Sequence, residues 1–506
     1  MFLPRANRKI IPRWRDFWTT AALGQLTPAS VNSPKSALPS ASEIEAHEAW
    51  HIKPTLWHAL DLVGAAFVIG DLADPDVISA AKFLEGRGED CPSPARLLVS
   101  RILHGDEDKA DFNEASHVSN ADIKVDIHFK RRRLNEEPRN SILWTDVARL
   151  YTSLGQQEKA LHAIQMSWNL APDNRFVVRS VARFLVHIGD NERALRVLRA
   201  TELNQSDPWV VAAEIGVSSF SNKDPRLLKL GRRMVDSPDF SEFAKSELAS
   251  AIATFELNEG NRRSAKKLFK QSLALPTENS VAQAEWASGQ VGDLHLPPDN
   301  RNVPRNYEAR SLHGFRVGDW ETALVNAEGW LYDQPFSSRP AGVVSYLYST
   351  ILERYQDAAG ILRSSLVSNP GDRGLSNNLA FALINLGHLE EAESLLNRVD
   401  PRAADDLSTI TLIATGGLLA YRKGFPEIGR NLYLDAIDLA KRKSNSHYSA
   451  MAALHLAIEE IRADTESKAL SLKIADELAL PVDEPDVQYV HRRLKAMAAA
   501  AKLVVE

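Results

Sequence analysis

Cysteine is almost absent from this sequence, which has 506 residues and a single thiol, Cys91. One cysteine cannot form a disulfide within its own chain, and this scarcity favours a reducing compartment such as the cytoplasm. Cys91 stands in a CPSP segment that is typical of a loop. We therefore interpret it as a spare cysteine, with a reactive thiol as the less favoured alternative.

Long hydrophobic runs and an excess of positive charge are also lacking. The apolar run LVGAAFVI within residues 56–70 is too short for a transmembrane helix. The formal net charge is −6, which argues against a general affinity of the whole chain for nucleic acid or membranes. The basic N terminus is not followed by the clean apolar run that a signal peptide requires.

Nucleotide and serine-hydrolase motifs are missing as well, because G-x-S-x-G, G-x-x-x-x-G-K-[ST] and a strand-linked G-x-G-x-x-G do not occur. One enzymatic pattern is present, the HExxH string HEAWH at residues 47–51. On a helix, His47 and His51 would lie on one face, and Glu48 would act as general base for a zinc-bound water.

Three features weaken the zinc hypothesis. Charged Glu45 and Lys53 stand where zinc peptidases of this type carry uncharged or apolar residues, and Pro54 limits the helix. Pro54 and Trp57 also occupy the places of the further glycine and histidine ligand in the extended motif. We predict a helix with two surface histidines, no metal site and no cofactor, and keep a zinc metallopeptidase as the least favoured alternative.

The chain does contain an internal repeat of 34 residues, first clear at 141–174 and again at 175–208. An apolar helical stripe with spacing i, i+3, i+4, i+7 opens the first unit: Trp144, Val147, Ala148 and Tyr151. Gly155 can take the positive φ that ends a helix, and Pro172 ends the second helix of the unit. Each unit therefore predicts a pair of antiparallel helices.

This pattern resembles the tetratricopeptide repeat (TPR). The same frame fits further segments, the last two more loosely: 246–279, 304–337, 339–372, 373–406, 410–443 and 450–483. Repeat position 15 is glycine in six units: Gly155, Gly189, Gly260, Gly318, Gly387 and Gly424. Position 20 is alanine in seven units: Ala160, Ala194, Ala265, Ala323, Ala358, Ala392 and Ala469. The resemblance implies an all-α fold, an α-solenoid that forms a right-handed superhelix of helix pairs, with a helical N-terminal region.

Changes in composition divide the sequence into five predicted segments. They are a basic aromatic arm and Pro/Ser-rich linker (1–42), a helical N-terminal region (43–135), a first TPR-like array (136–290), a second TPR-like array (304–483) and a C-terminal capping helix (484–506). An acidic stretch at 105–121 and a proline-containing run at 292–303 predict loops.

The N-terminal arm, residues 1–25, interleaves basic and aromatic side chains, among them Arg8, Arg13, Trp14 and Trp18. Such a segment either contacts a partner, nucleic acid or a membrane surface, or is an ordinary helix that packs its tryptophans on the body. We favour the second interpretation.

In the TPR family, residues of the first helix of each pair line a concave groove. The resemblance assigns a basic patch to this groove: Arg149, Arg179, Arg183 and His187. It assigns a mainly apolar patch to the second array: Val343, Leu347, Asn377, Asn378 and Phe381. A groove with a cationic and an apolar end suits a peptide with acidic and hydrophobic parts. Alternatively, the arginines are solvated or form ion pairs within the array.

Some family members clamp a C-terminal carboxylate with lysine and asparagine side chains. Asn378 matches the middle asparagine, but Val343 and Leu347 stand where a clamp needs polar side chains, so we do not expect this binding mode. The sequence favours a non-catalytic scaffold or adaptor for a protein partner. The alternative is a regulatory or sensor subunit that contacts nucleic acid through basic patches.

Overall fold

The computed structural model describes residues 8, 10–15, 41–69, 72–88, 91, 93–104, 120–291, 294, 296–297, 303–399 and 406–501. These residues form 25 α-helices and no β-strand, which confirms the all-α prediction. The Pro/Ser-rich linker and most of the predicted loops at 105–121 and 292–303 lie outside the described residues. No helix in the described ranges is long and apolar enough to cross a membrane.

The chain divides into two compact units. One consists of residues 15–170, and the other combines residues 1–14 with residues 171–506. The described residues at the start of the chain, 8 and 10–14, thus belong with helices far away in the sequence. The five predicted segments and the handedness of the superhelix stay predictions.

The described residues of the unit 15–170 form seven helices: α1 Ala41–Ile52, α2 Leu56–Ile69, α3 Pro75–Glu85, α4 Ser93–His104, α5 Asn120–Glu136, α6 Ser141–Ser153 and α7 Gln157–Leu170. Trp50, Leu62 and Leu84 belong to its core among α1 to α4. Helices α6 and α7 form the first predicted repeat, in which the hydroxyls of Thr145 and Ser167 lie 2.5 Å apart.

The larger unit contains eighteen described helices. The first nine are α8 Arg175–His187, α9 Asn191–Ala200, α10 Pro208–Phe220, α11 Leu228–Asp236, α12 Glu242–Asn258, α13 Arg262–Ser272, α14 Glu278–Ser288, α15 Tyr307–Val317 and α16 Trp320–Asp333. The others are α17 Ser338–Tyr346, α18 Tyr355–Ser368, α19 Arg373–Leu386, α20 Leu389–Arg398, α21 Asp406–Arg422, α22 Pro426–Arg442, α23 Ser446–Arg462, α24 Lys468–Ala479 and α25 Pro485–Ala500. Helix α17 continues into a π-helical turn, Leu347–Ile351. Successive helices mostly pack against each other, as in an α-solenoid.

The predicted repeat positions have the expected local structure. All six glycines at position 15 have a positive φ, between 65° and 85°, which side chains with a Cβ rarely adopt. Six of the seven alanines at position 20 are completely buried: Ala160, Ala194, Ala265, Ala323, Ala358 and Ala392. Small residues at these positions let the two helices of a pair approach closely.

The seventh alanine corrects the predicted frame, because Ala469 is exposed. Helix α23 has 17 residues, whereas α6 and α8 have 13 each. The longer helix delays the start of α24 to Lys468, so Ala469 lies in its first turn instead of at the helix crossing. Leu472 and Ala475 occupy the buried positions of α24.

The C-terminal helix α25 folds back over the second array, against α15, α23, α24 and the π-helical turn. Val487, Val490 and Leu494 are completely buried on this helix. The hydroxyl of Tyr346 donates a hydrogen bond of 2.7 Å to Asp486. Helix α25 is therefore an integral part of the core of the second array.

Candidate functional site

The described part of the N-terminal arm lies in a groove of the larger unit. Residues 10–15 have no helical structure. The contacts described below join the arm to α8, α10, α14 and α15. We call the surface that holds residues 8 and 10–14 the arm groove. Trp14 is fully buried, as the favoured interpretation of the arm expected, but the predicted helix is wrong for residues 10–15. Phe2, Phe17 and Trp18 lie outside the described residues.

Arg8 is the main polar anchor of the arm and is only 3% exposed. Its Nε and Nη2 donate to the two carboxylate oxygens of Glu308 on α15, at 2.9 and 2.8 Å. Nη2 also donates to Oδ1 of Asn279 on α14 at 2.8 Å, and Nη1 donates to Gln283. A two-pronged ion pair of this kind is both strong and geometrically selective for arginine.

The backbone of the arm is also held by side chains. Nδ2 of Asn279 donates to the carbonyl oxygen of Ile11 at 3.1 Å, and Nε2 of Gln283 donates to that of Arg8 at 2.9 Å. These two amides lie one helical turn apart on α14, so they face the same side. Contacts of this type are made to the backbone and therefore depend little on the side chains of the bound segment.

Apolar contacts hold the arm at two further points. Ile10 packs beside Gly216 on α10, where an added Cβ would lie 2.3 Å from the carbonyl oxygen of Ile10. Only glycine permits this approach. Trp14 lies between Phe184 on α8 and Phe336, with ring centroids 6.0 and 5.3 Å away. Edge-on and tilted arrangements of aromatic rings at such distances are favourable.

Glu308 is the electrostatic centre of the arm groove. Besides Arg8, it forms ion pairs with Arg13 and, at 3.5 Å, with Arg339 on α17. Burial alone would raise the pKa of Glu308, but Arg8 and Arg13 outweigh this effect and hold the pKa well below its ordinary value. The carboxylate is therefore ionised and attracts cationic groups.

Three members of the predicted basic patch lie on α8. Arg179 is paired with Glu247 at 2.7 Å and lies over the ring of Trp209, so it forms an ion pair within the array. Arg183 lies over the ring of Phe336 at 4.9 Å, and burial together with the Arg13 charge lowers its pKa to about 10. Burial and the Arg183 charge lower the pKa of His187 to about 4. Arg149 is buried in the other unit.

The predicted apolar patch lies inside the second array. Five side chains are buried there: Val343, Leu347, Asn377, Asn378 and Phe381. The cavity beside Phe381 measures about 30 Å³, which is room for about one water molecule. Partner binding by both patches stays a prediction.

The HEAWH string lies on α1, and its two histidines meet a carboxylate of α3. Nδ1 of His47 and Nε2 of His51 lie 3.2 and 2.9 Å from the same oxygen of Asp76. The three groups could hold a divalent ion in geometric terms. Glu48 is exposed beside them. The sequence pattern gave no hint of Asp76.

The sequence interpretation missed the principal residues of the arm groove: Asn279, Gln283, Glu308 and Gly216. Glu308 lies on the first helix of the unit 304–337, and residues of the first helix line the groove in the TPR family, so the resemblance could have identified it. Helix α14, which carries Asn279 and Gln283, begins at the last two residues of the unit 246–279 and otherwise lies outside the predicted units. Its contribution depends on tertiary structure.

The helices define an α-helical repeat protein of the solenoid class. Residues 351–414 match the family model described as Tetratricopeptide repeat. This match confirms the resemblance seen in the sequence, and residues 351–414 carry tetratricopeptide repeats.

Solved structures with similar helical arrangements include three helical-repeat proteins. Yeast Tom70 is 14% identical, with 76% of this chain and 93% of that chain covered and a TM-score of 0.31. The APC/C hetero-tetramer Cut9-Hcn1 is 13% identical, with 91% and 87% covered and a TM-score of 0.42. The human IFIT1 dimer with m7Gppp-AAAA is 14% identical, with 76% and 96% covered and a TM-score of 0.36. Similarity at this level carries no information on function. No curated protein sequence matches the chain.

Proposed function

We propose that this protein is a non-catalytic TPR scaffold that binds an extended segment of a protein partner in the arm groove. The observation that carries the proposal is a pair of hydrogen bonds to the backbone of the arm. Asn279 donates to the carbonyl oxygen of Ile11, and Gln283 donates to that of Arg8. Hydrogen bonds to backbone groups recognise a peptide independently of its sequence, and the neighbouring pockets then select particular side chains.

The arm groove has the physical properties of a peptide site. It offers a buried carboxylate for a cation, an aromatic pocket for a flat ring, and a close approach for the backbone at Gly216. Stacked helices hold these groups rigidly, which lowers the entropy lost on binding. The lone buried Cys91 is compatible with a cytoplasmic location, which we also propose.

Peptide selection with groove variants tests this function. Random displayed peptides are selected for binding to the full chain and to its Trp14→Ala variant. The Asn279→Ala/Gln283→Ala substitutions are then introduced into both proteins. The affinity of each selected peptide is measured with and without these two substitutions. We expect at least tenfold weaker binding, about 1.4 kcal/mol, because both backbone hydrogen bonds are lost. Asn385→Ala is the matched control, since the side chain of Asn385 bonds to Phe381 and Arg422 and to no residue of the arm groove. If no selected peptide responds to the groove variant, the proposal is wrong.

Nucleic-acid binding is the second candidate, and one surface of the unit 15–170 favours it. An open cleft there combines stacked rings of Trp57 and His128, 4.4 Å apart, with exposed Arg131 and Lys159. Aromatic rings and cations suit bases and phosphates. The test is the affinity for an oligonucleotide at increasing salt concentration. Phosphate contacts predict that this affinity falls steeply with salt and is abolished in Arg131→Glu. Binding that does not depend on salt would argue against this candidate.

A further inference from the structure

We infer that the described residues of the arm, 8 and 10–14, are an internal competitor, and that the partner segment carries the same chemistry: a non-helical backbone, an arginine for Glu308 and an aromatic residue six positions later. This inference rests on the proposed function and adds both the kind of partner and its regulation. The groove would then be closed by the arm until a partner segment displaces it.

The contacts of the arm define the partner chemistry. Arg8 engages the buried carboxylate of Glu308 through two parallel hydrogen bonds, a geometry that lysine cannot reproduce. Trp14 fills the space between Phe184 and Phe336. The amides of α14 fix the direction and spacing of the backbone between these two anchors. A segment that satisfies all three features can replace the arm without rearrangement of the groove.

The groove keeps its own polar partners when the arm leaves. Glu308 retains Arg339 at 3.5 Å, and Arg179 retains Glu247 at 2.7 Å. Arg183 remains over the ring of Phe336. Glu308 and Glu247 therefore each keep a cationic partner after the arm has left. An unpaired buried anion, which would oppose release of the arm, does not arise at either carboxylate.

The arm also differs from α25, the other terminal segment that packs on the larger unit. Helix α25 contributes many completely buried apolar side chains to the core, including Val487, Val490 and Leu494. Among its described residues, the arm contributes three buried apolar side chains, Ile10, Pro12 and Trp14. The arm is thus attached by a few specific anchors, as a ligand is, and α25 is part of the fold.

Competition within one chain makes a quantitative prediction. A tethered segment acts at a high effective concentration, so a free copy of the same segment binds weakly while the tethered one is intact. Weakening the anchors of the tethered arm should expose the groove and strengthen binding of the free peptide.

The experiment uses the full chain and a fluorescent peptide with the sequence of residues 5–15. The peptide is titrated into wild type, the Trp14→Ala variant and the Trp14→Ala/Glu308→Gln variant. We expect at least tenfold tighter binding by Trp14→Ala than by wild type, and loss of most of this gain in the double variant. The matched control is the same peptide with alanine in place of Arg8 and Trp14, and this peptide should not bind.

The outcomes separate the inference from the proposed function. Equal binding by wild type and Trp14→Ala would leave peptide binding intact but overturn internal competition. If neither protein binds the peptide, and the proteins stay folded, the inference and the groove function both fail. Arg8→Ala repeats the test if Trp14→Ala is unfolded, and unfolding of both variants would show that the arm is structural and overturn the inference. A wild-type dimer that dissociates with Trp14→Ala would assign the groove to the arm of a second copy and equally overturn it.

Discussion

Arg8 and Glu308, 300 positions apart in the sequence, form a buried two-pronged ion pair with N–O distances of 2.9 and 2.8 Å. This contact joins the N-terminal arm to α15 and links the start of the chain to the repeat array. It also explains why residues 1–14 belong to the unit of residues 171–506. The contact makes the arm groove the best-defined candidate site in the described chain.

Glu308→Gln should destabilise the larger unit substantially. Three arginines converge on this carboxylate, and the substitution removes the carboxylate that pairs with all three buried guanidinium groups: Arg8, Arg13 and Arg339. We expect a loss of about 3 kcal/mol in the free energy of unfolding. Glu391→Gln is the control, because the pair of Glu391 and Arg363 is exposed and should change stability by less than about 1 kcal/mol. Equal denaturation midpoints for the two variants would contradict the prediction.

Ala160→Trp and Ala392→Trp should each destabilise the protein by about 3 kcal/mol, because the ring does not fit between two helices in contact. Thermal unfolding measures the effect. Ala469→Trp is a matched control at the same nominal repeat position, but its side chain is exposed and should tolerate the ring. If all three variants melt at the wild-type temperature, the helix-pair assignment is wrong.

Stability should fall as the pH decreases from about 6.5 to about 4. Burial and the Arg183 charge lower the pKa of His187 to about 4, and burial lowers the pKa of His455 well below its ordinary value. The unfolded chain therefore takes up protons over this range before the folded chain does, and protonation favours unfolding. His187→Gln should have a shallower pH dependence of melting temperature than the control His388→Gln, which alters an exposed histidine. Parallel curves for both variants would refute the assignment.

The purified protein should hold no stoichiometric zinc, although His47, His51 and Asp76 lie close together. His51 is 65% exposed, and the carboxylate oxygen of Asp76 is already shared by both rings. Metal-binding histidines usually have their second ring nitrogen fixed by a further group. Metal analysis of wild type and of His47→Ala/His51→Ala checks this prediction. One zinc per wild-type chain that is lost in the variant would revive the metallopeptidase hypothesis, and Glu48→Gln would then test catalysis.

The sequence alone determined the helix pairs, because their signals are local. A positive φ at Gly155 or Gly387 and a close helix contact at Ala160 depend on residues within one repeat, so a 34-residue spacing reveals them. The frame failed at Ala469, where a 17-residue helix changed the spacing.

Only the tertiary structure decided what occupies the grooves. The contact of Arg8 with Glu308 and that of His51 with Asp76 join separate segments, and no periodic pattern encodes such pairings. The same holds for α25, which packs on helices more than a hundred residues earlier, as the bond between Tyr346 and Asp486 shows. The repeats fixed the shape of each helix pair by local packing. Charge and aromatic contacts between distant segments determined that the arm, and not solvent, fills the arm groove.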